Sequence, residues 1–141
     1  MSTTTVTAFD NTIHKTNVWL KDIMAELGWE DHQRAYHALR AVLHALRDRL
    51  PVEEATDLGA QLPMLVRGFY YEGWQPRRTP VAEHKREEFL QHVADQFRGD
   101  SSADPEQITR VVFKVVAKHV TEGEIDDVKH ALPKSIRTLW T

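Results

Sequence analysis

The sequence contains no cysteine. Disulfides, thiolate zinc sites and a cysteine nucleophile are therefore excluded, and the absence suits a reducing compartment. Glycines are few, six in all, and no phosphate-cradling pattern occurs among them. The serines Ser2, Ser101, Ser102 and Ser135 lie in no nucleophile-elbow context. No apolar run approaches the roughly 18–20 residues of a membrane span. The polar start MSTTTV lacks the apolar centre of a signal peptide. Positive charge is not in excess: 18 Lys+Arg stand against 21 Asp+Glu, a net charge of -3. Residues 1–70 carry 7 basic and 9 acidic side chains, leaving 11 and 12 for the remainder. Neither part has the footprint of a phosphate-backbone binder, so nucleic acid and membrane are not expected as partners. A cytoplasmic location is the expectation. Period-2 alternation is absent too, which argues against strands.

What is present suits a folded chain. The 141 residues are 41% hydrophobic and 28% charged, enough apolar content to build a core. The chain also repeats itself. Leu62-Pro63 returns as Leu132-Pro133, and Arg67 as Arg137, at a shift of 70. The same shift, without a gap, lays Trp19-Leu20 on Phe89-Leu90, Ile23 on Val93 and Leu27 on Phe97. It lays Leu39, Val42, Leu43, Leu46 and Leu50 on Thr109, Val112, Phe113, Val116 and Val120. Apolar positions meet apolar positions almost throughout, the mark of a tandem duplication.

Each half reads as helices. Tyr36, Leu39, Leu43, Leu46 and Leu50 step by three and four, one face of an amphipathic helix, and Ile13, Leu20, Met24 and Leu27 make a similar face before it. Residues 108–120 are apolar on more sides, which predicts the most buried element. Asp104-Pro105 is an N-cap followed by proline at the first helical position. Thr121-Glu122-Gly123-Glu124 has the capping-box pattern. Thr79-Pro80 is a start signal for the first helix of the second half. Proline lacks an amide hydrogen and disfavours helix in its predecessor, so each Leu-Pro pair should end one short helix and begin the next. The expected fold is all-α. Two four-helix units, each of two longer and two short helices, occupy residues 1–72 and 81–141, with a linker at 73–80 and one shared core.

The run ALRAVLHALRDRLPVEEATDLGAQLPMLVRGFYYEGWQP, residues 38–76, and its fainter echo GEIDDVKHALPKSIRTLW, residues 123–140, resemble DUF2267, a bacterial domain of unknown function. The resemblance covers nearly the whole chain. It implies a helical, duplicated fold and carries no catalytic residue with it.

Four constellations invite function. His37 and His44 share a helix face, as do His84, Glu88 and His92, at spacings that suit zinc or iron. The repeat does not preserve them: His37 falls on Gln107, His44 on Lys114 and His92 on Asp22. They read as solvated histidines, and neither a metal nor another cofactor is expected. Arg77-Arg78 beside Trp74 is too small a patch for nucleic acid. Phe69, Tyr70, Tyr71 and Trp74 crowd the joint, and aromatics with a polar handle serve both packing and interfaces. If the helix extends that far, Tyr70 and Trp74 share a face, although Gly73 marks a helix end. Last, Arg40, Glu54, Asp57 and Arg67 return as Arg110, Glu124, Asp127 and Arg137. Arg67 is expected to pair with Glu54 or Asp57, and Arg137 with Glu124 or Asp127, through the planar guanidinium fork.

The candidate interaction surface is thus Arg67, Tyr70, Tyr71, Trp74, Arg77 and Arg137. No catalytic residue is nominated. The leading reading is a non-enzymatic binding or interaction module, monomeric or homodimeric, with a protein partner or small ligand. The alternative is a small-molecule enzyme or ligand sensor with its pocket between the two repeats.

Overall fold

A computed structural model describes residues 6–141, so all but the last residue of the polar start MSTTTV lies outside the described residues. Among these residues there are eight α-helices and no strand. The order is α1 (Thr7–Leu27), α2 (His32–Asp48), α3 (Val52–Ala60), α4 (Met64–Tyr71), α5 (Arg86–Asp95), α6 (Pro105–His119), α7 (Glu122–Ala131) and α8 (Lys134–Arg137). Short 3₁₀ turns follow α4 at Pro76–Arg78 and α8 at Thr138–Trp140. No described helix is long and apolar enough to cross a membrane.

The helix boundaries follow local chemistry. Gly28 ends α1 with φ 69°, a left-handed conformation that costs glycine little, and its N–H bonds the Met24 carbonyl. Asp31 caps α2 by accepting from the amides of Gln33 and Arg34. Asp104 caps α6 in the same way, through Glu106 and Gln107. Leu62 and Leu132 fall between helices, and Pro63 and Pro133 stand at the N-caps of α4 and α8. The Leu-Pro breaks are where the sequence puts them.

Three expectations are corrected. The helix after the joint begins at Arg86, not at Pro80. The intervening strap is held to the end of α2 instead: Val81 N–H donates to the Asp48 carbonyl at 2.8 Å, and Glu83 pairs with Arg49 at 2.8 Å. As a result α5 has 10 residues, no more than α7, so the last four helices do not read as two longer and two short. Second, the most buried helix is α2, not α6. Ala35, Ala38, Leu39, Val42, Leu43, Ala45 and Leu46 are fully enclosed, because α2 packs against α1, α4, α5 and α6. One side of α6 faces water, where Lys114 and Lys118 reach back to Glu26 and Asp22. Third, Ile13 is exposed and not part of the core face of α1, which buries Thr16, Trp19, Leu20 and Ile23.

One hydrophobic cluster includes residues from Trp19 to Leu139, drawn from both the first four and the last four helices. Polar ties cross at its edge. Arg34 lies 3.8 Å over the Trp29 ring and pairs with Asp100 at 2.9 Å. His119 stacks on Trp19 and meets Asp22 at 2.8 Å.

Candidate functional site

The first turn of α4 has no side-chain cap of its own, because proline stands at its N-cap. Its orphan Leu65 N–H is satisfied from outside: it donates to the Thr12 hydroxyl of α1 at 2.8 Å. Thr12 in turn accepts, through its carbonyl, from Thr16 at 2.7 Å. This clamp fixes the N-terminal half of α1 beside α4 and leaves a trough between them.

The trough is a groove of about 850 Å³. Its floor is Leu20, Tyr36 and Phe69, with the Tyr36 and Phe69 rings edge to face at 5.2 Å. Phe9 and Ile13 form one wall, Met64 and Leu65 the other. All four are large, apolar and open to water: Phe9 is 50% exposed, Ile13 39%, Met64 53% and Leu65 43%. Gly68 keeps the trough deep, since a Cβ added there would meet nothing within 4 Å. Glu72, paired with Arg40, closes one end. Every lining residue comes from α1, α2, α4 or Glu72, so the groove does not lie between the first four and the last four helices. A smaller and more polar hollow of about 540 Å³, lined by Lys15, Trp19, Gln61, Arg67 and His119 among others, adjoins it.

The expected surface residues are scattered. Arg67 does not reach a carboxylate. Its Nε donates to the Gly59 carbonyl at 2.8 Å, and its Nη2 donates to those of Ala60 and Leu62 at 3.1 and 2.9 Å. Arg137 likewise donates to the Leu132 carbonyl at 3.0 Å. Both expected ion pairs are therefore wrong: a helix end leaves carbonyls without intrahelical partners, and these take three bonds from Arg67 and one from Arg137, whose buried Nε has no partner. Tyr70 is fully buried, and its hydroxyl donates to the Ala55 carbonyl at 2.6 Å, which removes it from any surface. Burial pushes its phenol far above the ordinary value. Tyr71 lies against Gly59, where a Cβ would run into its hydroxyl, and stacks with half-buried Trp74 at 5.4 Å. Trp74 therefore partners Tyr71 and not Tyr70, because α4 ends at Tyr71 and Gly73 turns the chain with φ 73°. Arg77 is exposed in a 3₁₀ turn.

The histidines do not converge on a metal. His44 is half-buried, not solvated, and its Nε2–H donates to the Phe69 carbonyl at 2.6 Å; burial holds it below the usual imidazole value. Burial also lowers His92, with the Arg49 charge adding to it. Glu88 accepts from Lys85 N–H at the start of α5. Among the described residues, the one group of three ligating side chains within reach of a common ion is Glu54, Asp57 and Glu124.

The groove residues Phe9, Met64 and Leu65 were not singled out from sequence. One signal was present: apolar Phe9 and Ile13 continue α1 beyond the face that Leu20 and Ile23 need for the core.

A family model described as "Uncharacterized conserved protein (DUF2267)" matches residues 16–139. No curated protein matches the chain.

Proposed function

The chain belongs to the DUF2267 family, and from that premise we propose that it is a non-enzymatic interaction module whose α1–α4 groove receives an amphipathic helix of a partner protein. The observation that carries this reading is the contiguity of Phe9, Ile13, Met64 and Leu65 over an apolar floor. Scattered surface apolar residues need no explanation, but a continuous patch around a trough does. The groove's open form suits a helix more than a small molecule, which is normally enclosed on most sides. From Phe9 to Leu20 the wall of α1 rises about 17 Å, room for three turns of a helix. Such a helix would present apolar anchors at i, i+3 or i+4, and i+7.

The scaffold of this module is, in the same reading, a duplicated four-helix unit, residues 1–72 and 81–141 joined by 73–80. Equivalent side chains do equivalent work at the shift of 70. Arg67 and Arg137 both donate to the carbonyl that precedes the Leu-Pro proline. Arg40 reaches Glu72 after α4, and Arg110 reaches the carbonyls of Thr138 and Thr141 after α8. Among the described residues α5, with 10 residues against the 21 of α1, has no counterpart to the wall that the first half of α1 provides.

The test is site-specific photocrosslinking in cells from position 65, with position 107 on α6 as the exposed control. The expected adduct maps to one partner segment with apolar residues at helical spacing. Equal labelling from both positions, or a mapped segment without that spacing, would overturn the reading.

A further inference from the structure

The packing of α3 against α7 brings together two glutamates that each sit third in their helix, Glu54 after Pro51 and Glu124 after Thr121. Asp57 lies three residues beyond Glu54 on the same helix. One oxygen from each of Glu54, Asp57 and Glu124 lies within 4.8 Å of the others.

Glu124 is the informative member. It is only 9% exposed, and its Oε2 is buried without a hydrogen-bond partner; Oε2 of Glu54 is in the same condition. In a capping box, the Glu124 carboxylate would accept from Thr121 N–H. That amide is already taken, because it donates to Oε1 of Gln61 at 2.9 Å, while Gln61 Nε2 donates to the Thr121 hydroxyl at 3.0 Å. Glu54 has no such role either, since Pro51 has no N–H to offer. The two carboxylates are thus released from capping and turned toward each other.

Nothing in the fold neutralises them. Among the described residues no Lys, Arg or His pairs with Glu54, Asp57, Glu124 or Asp127. Arg67 and Arg137, the cations that sequence would assign to them, are occupied by carbonyls. Burial of like charges without a counter-charge is unfavourable, so a proton or a cation must compensate. Burial, contact with Glu54 and the charges of Asp57 and Asp127 push the Glu124 carboxyl up to about 8. A proton therefore serves at acid pH and is lost in alkaline solution.

We propose that Glu54, Asp57 and Glu124 form a binding site for one hard divalent cation of calcium's size, clasped between α3 and α7. The donors are all carboxylate oxygens, which select hard cations over zinc or copper. A cation at the centre of a triangle whose sides do not exceed 4.8 Å sits no farther than about 2.8 Å from each oxygen. Calcium's roughly 2.3–2.6 Å falls inside that limit, and its flexible shell suits three carboxylates on two packed helices better than the near-ideal octahedron that magnesium demands. Exposed Asp57 leaves one side open to water, which would complete the shell.

The experiment is calorimetric titration of chelator-treated full-length protein with calcium chloride at pH 8, repeated with magnesium chloride, alongside thermal melts. One equivalent of calcium should bind, magnesium more weakly, and calcium should raise the Tm. Glu124→Gln and Asp57→Asn should each weaken calcium by at least about tenfold, the scale of losing metal-site support. Asp57 is exposed, so Asp57→Asn leaves the fold intact and keeps the test decisive; circular dichroism checks this. No saturable binding up to about 10 mM, beyond the roughly 10⁻⁴–10⁻³ M of weak calcium sites, would overturn the proposal and leave a proton-sharing pair. So would calcium binding that Asp57→Asn leaves unchanged.

Discussion

Arg67 donates to the carbonyl of Leu62 at 2.9 Å, from a position where its sequence neighbours suggest a carboxylate partner. Its other bonds go to Gly59 and Ala60, so one guanidinium closes the C-terminal end of α3. Because the side chain is exposed and its partners are neutral carbonyls, Arg67→Ala should cost about 1–2 kcal/mol in urea denaturation. A double-mutant cycle with Glu54→Ala or Asp57→Ala should give a coupling below about 0.5 kcal/mol. Arg67→Lys should recover little, since a single ammonium cannot span three carbonyls.

The helices, the Leu-Pro breaks and the Asp104 cap were legible because each depends on residues close in sequence. Apolar steps of three and four, a proline without an N–H and an aspartate before a helix act locally. What misled was decided at a distance. Arg67 and Glu54 have the right charges to pair, but pattern says nothing about which unsatisfied carbonyl lies nearer. The start of α5 was misplaced because Val81 and Glu83 find their partners at the end of α2, Asp48 and Arg49. Ile13 continues the apolar face of α1 in sequence, yet α4 stops short of covering it. The groove is that uncovered remainder.

Gly68 lies within α4 with open space around its missing Cβ. Gly68→Ala should stabilise the protein by about 0.5–1 kcal/mol, through helix propensity and lower unfolded-chain entropy. A midpoint shift in urea without a change in slope would confirm it. A loss of stability would mean that the trough is narrower than described.

Arg49 is buried, with Nη2 on Glu83 at 2.8 Å and Nη1 on the Ala45 carbonyl at 2.9 Å. Removing Glu83 strands that charge. Glu83→Ala should therefore cost about 1–3 kcal/mol, below the fully buried limit because Glu83 is half-exposed and the Ala45 bond remains. Amide exchange should show the loss first in the 79–85 strap.

Glu124 and Asp22 should make stability depend on pH in opposite senses. Glu124 holds its proton more tightly in the folded state, so its contribution is complete below about pH 4.5 and is lost as pH rises toward about 8. Asp22 runs the other way. Burial alone would raise it, but hydrogen bonds and charge from His119 and Lys118 hold its carboxyl below the ordinary value. Its contribution is present above the usual carboxylate range and is lost on acidification. In chelator-containing buffer, Glu124→Gln should remove the alkaline decline and exceed the parent by about 1–3 kcal/mol at pH 8.5. Unchanged pH dependence in Glu124→Gln would show that the glutamate is solvated.

The groove itself is tested most directly by selecting helical peptides from a display library against the full-length protein and mapping the best binder by amide chemical shifts. The shifts should concentrate at residues 9–20 and 64–69, and Leu65→Asp should weaken the peptide by at least about tenfold, the loss of one apolar anchor replaced by a buried charge. Binders whose shifts fall on α5–α8, or whose affinity survives Leu65→Asp, would contradict a docking site between α1 and α4.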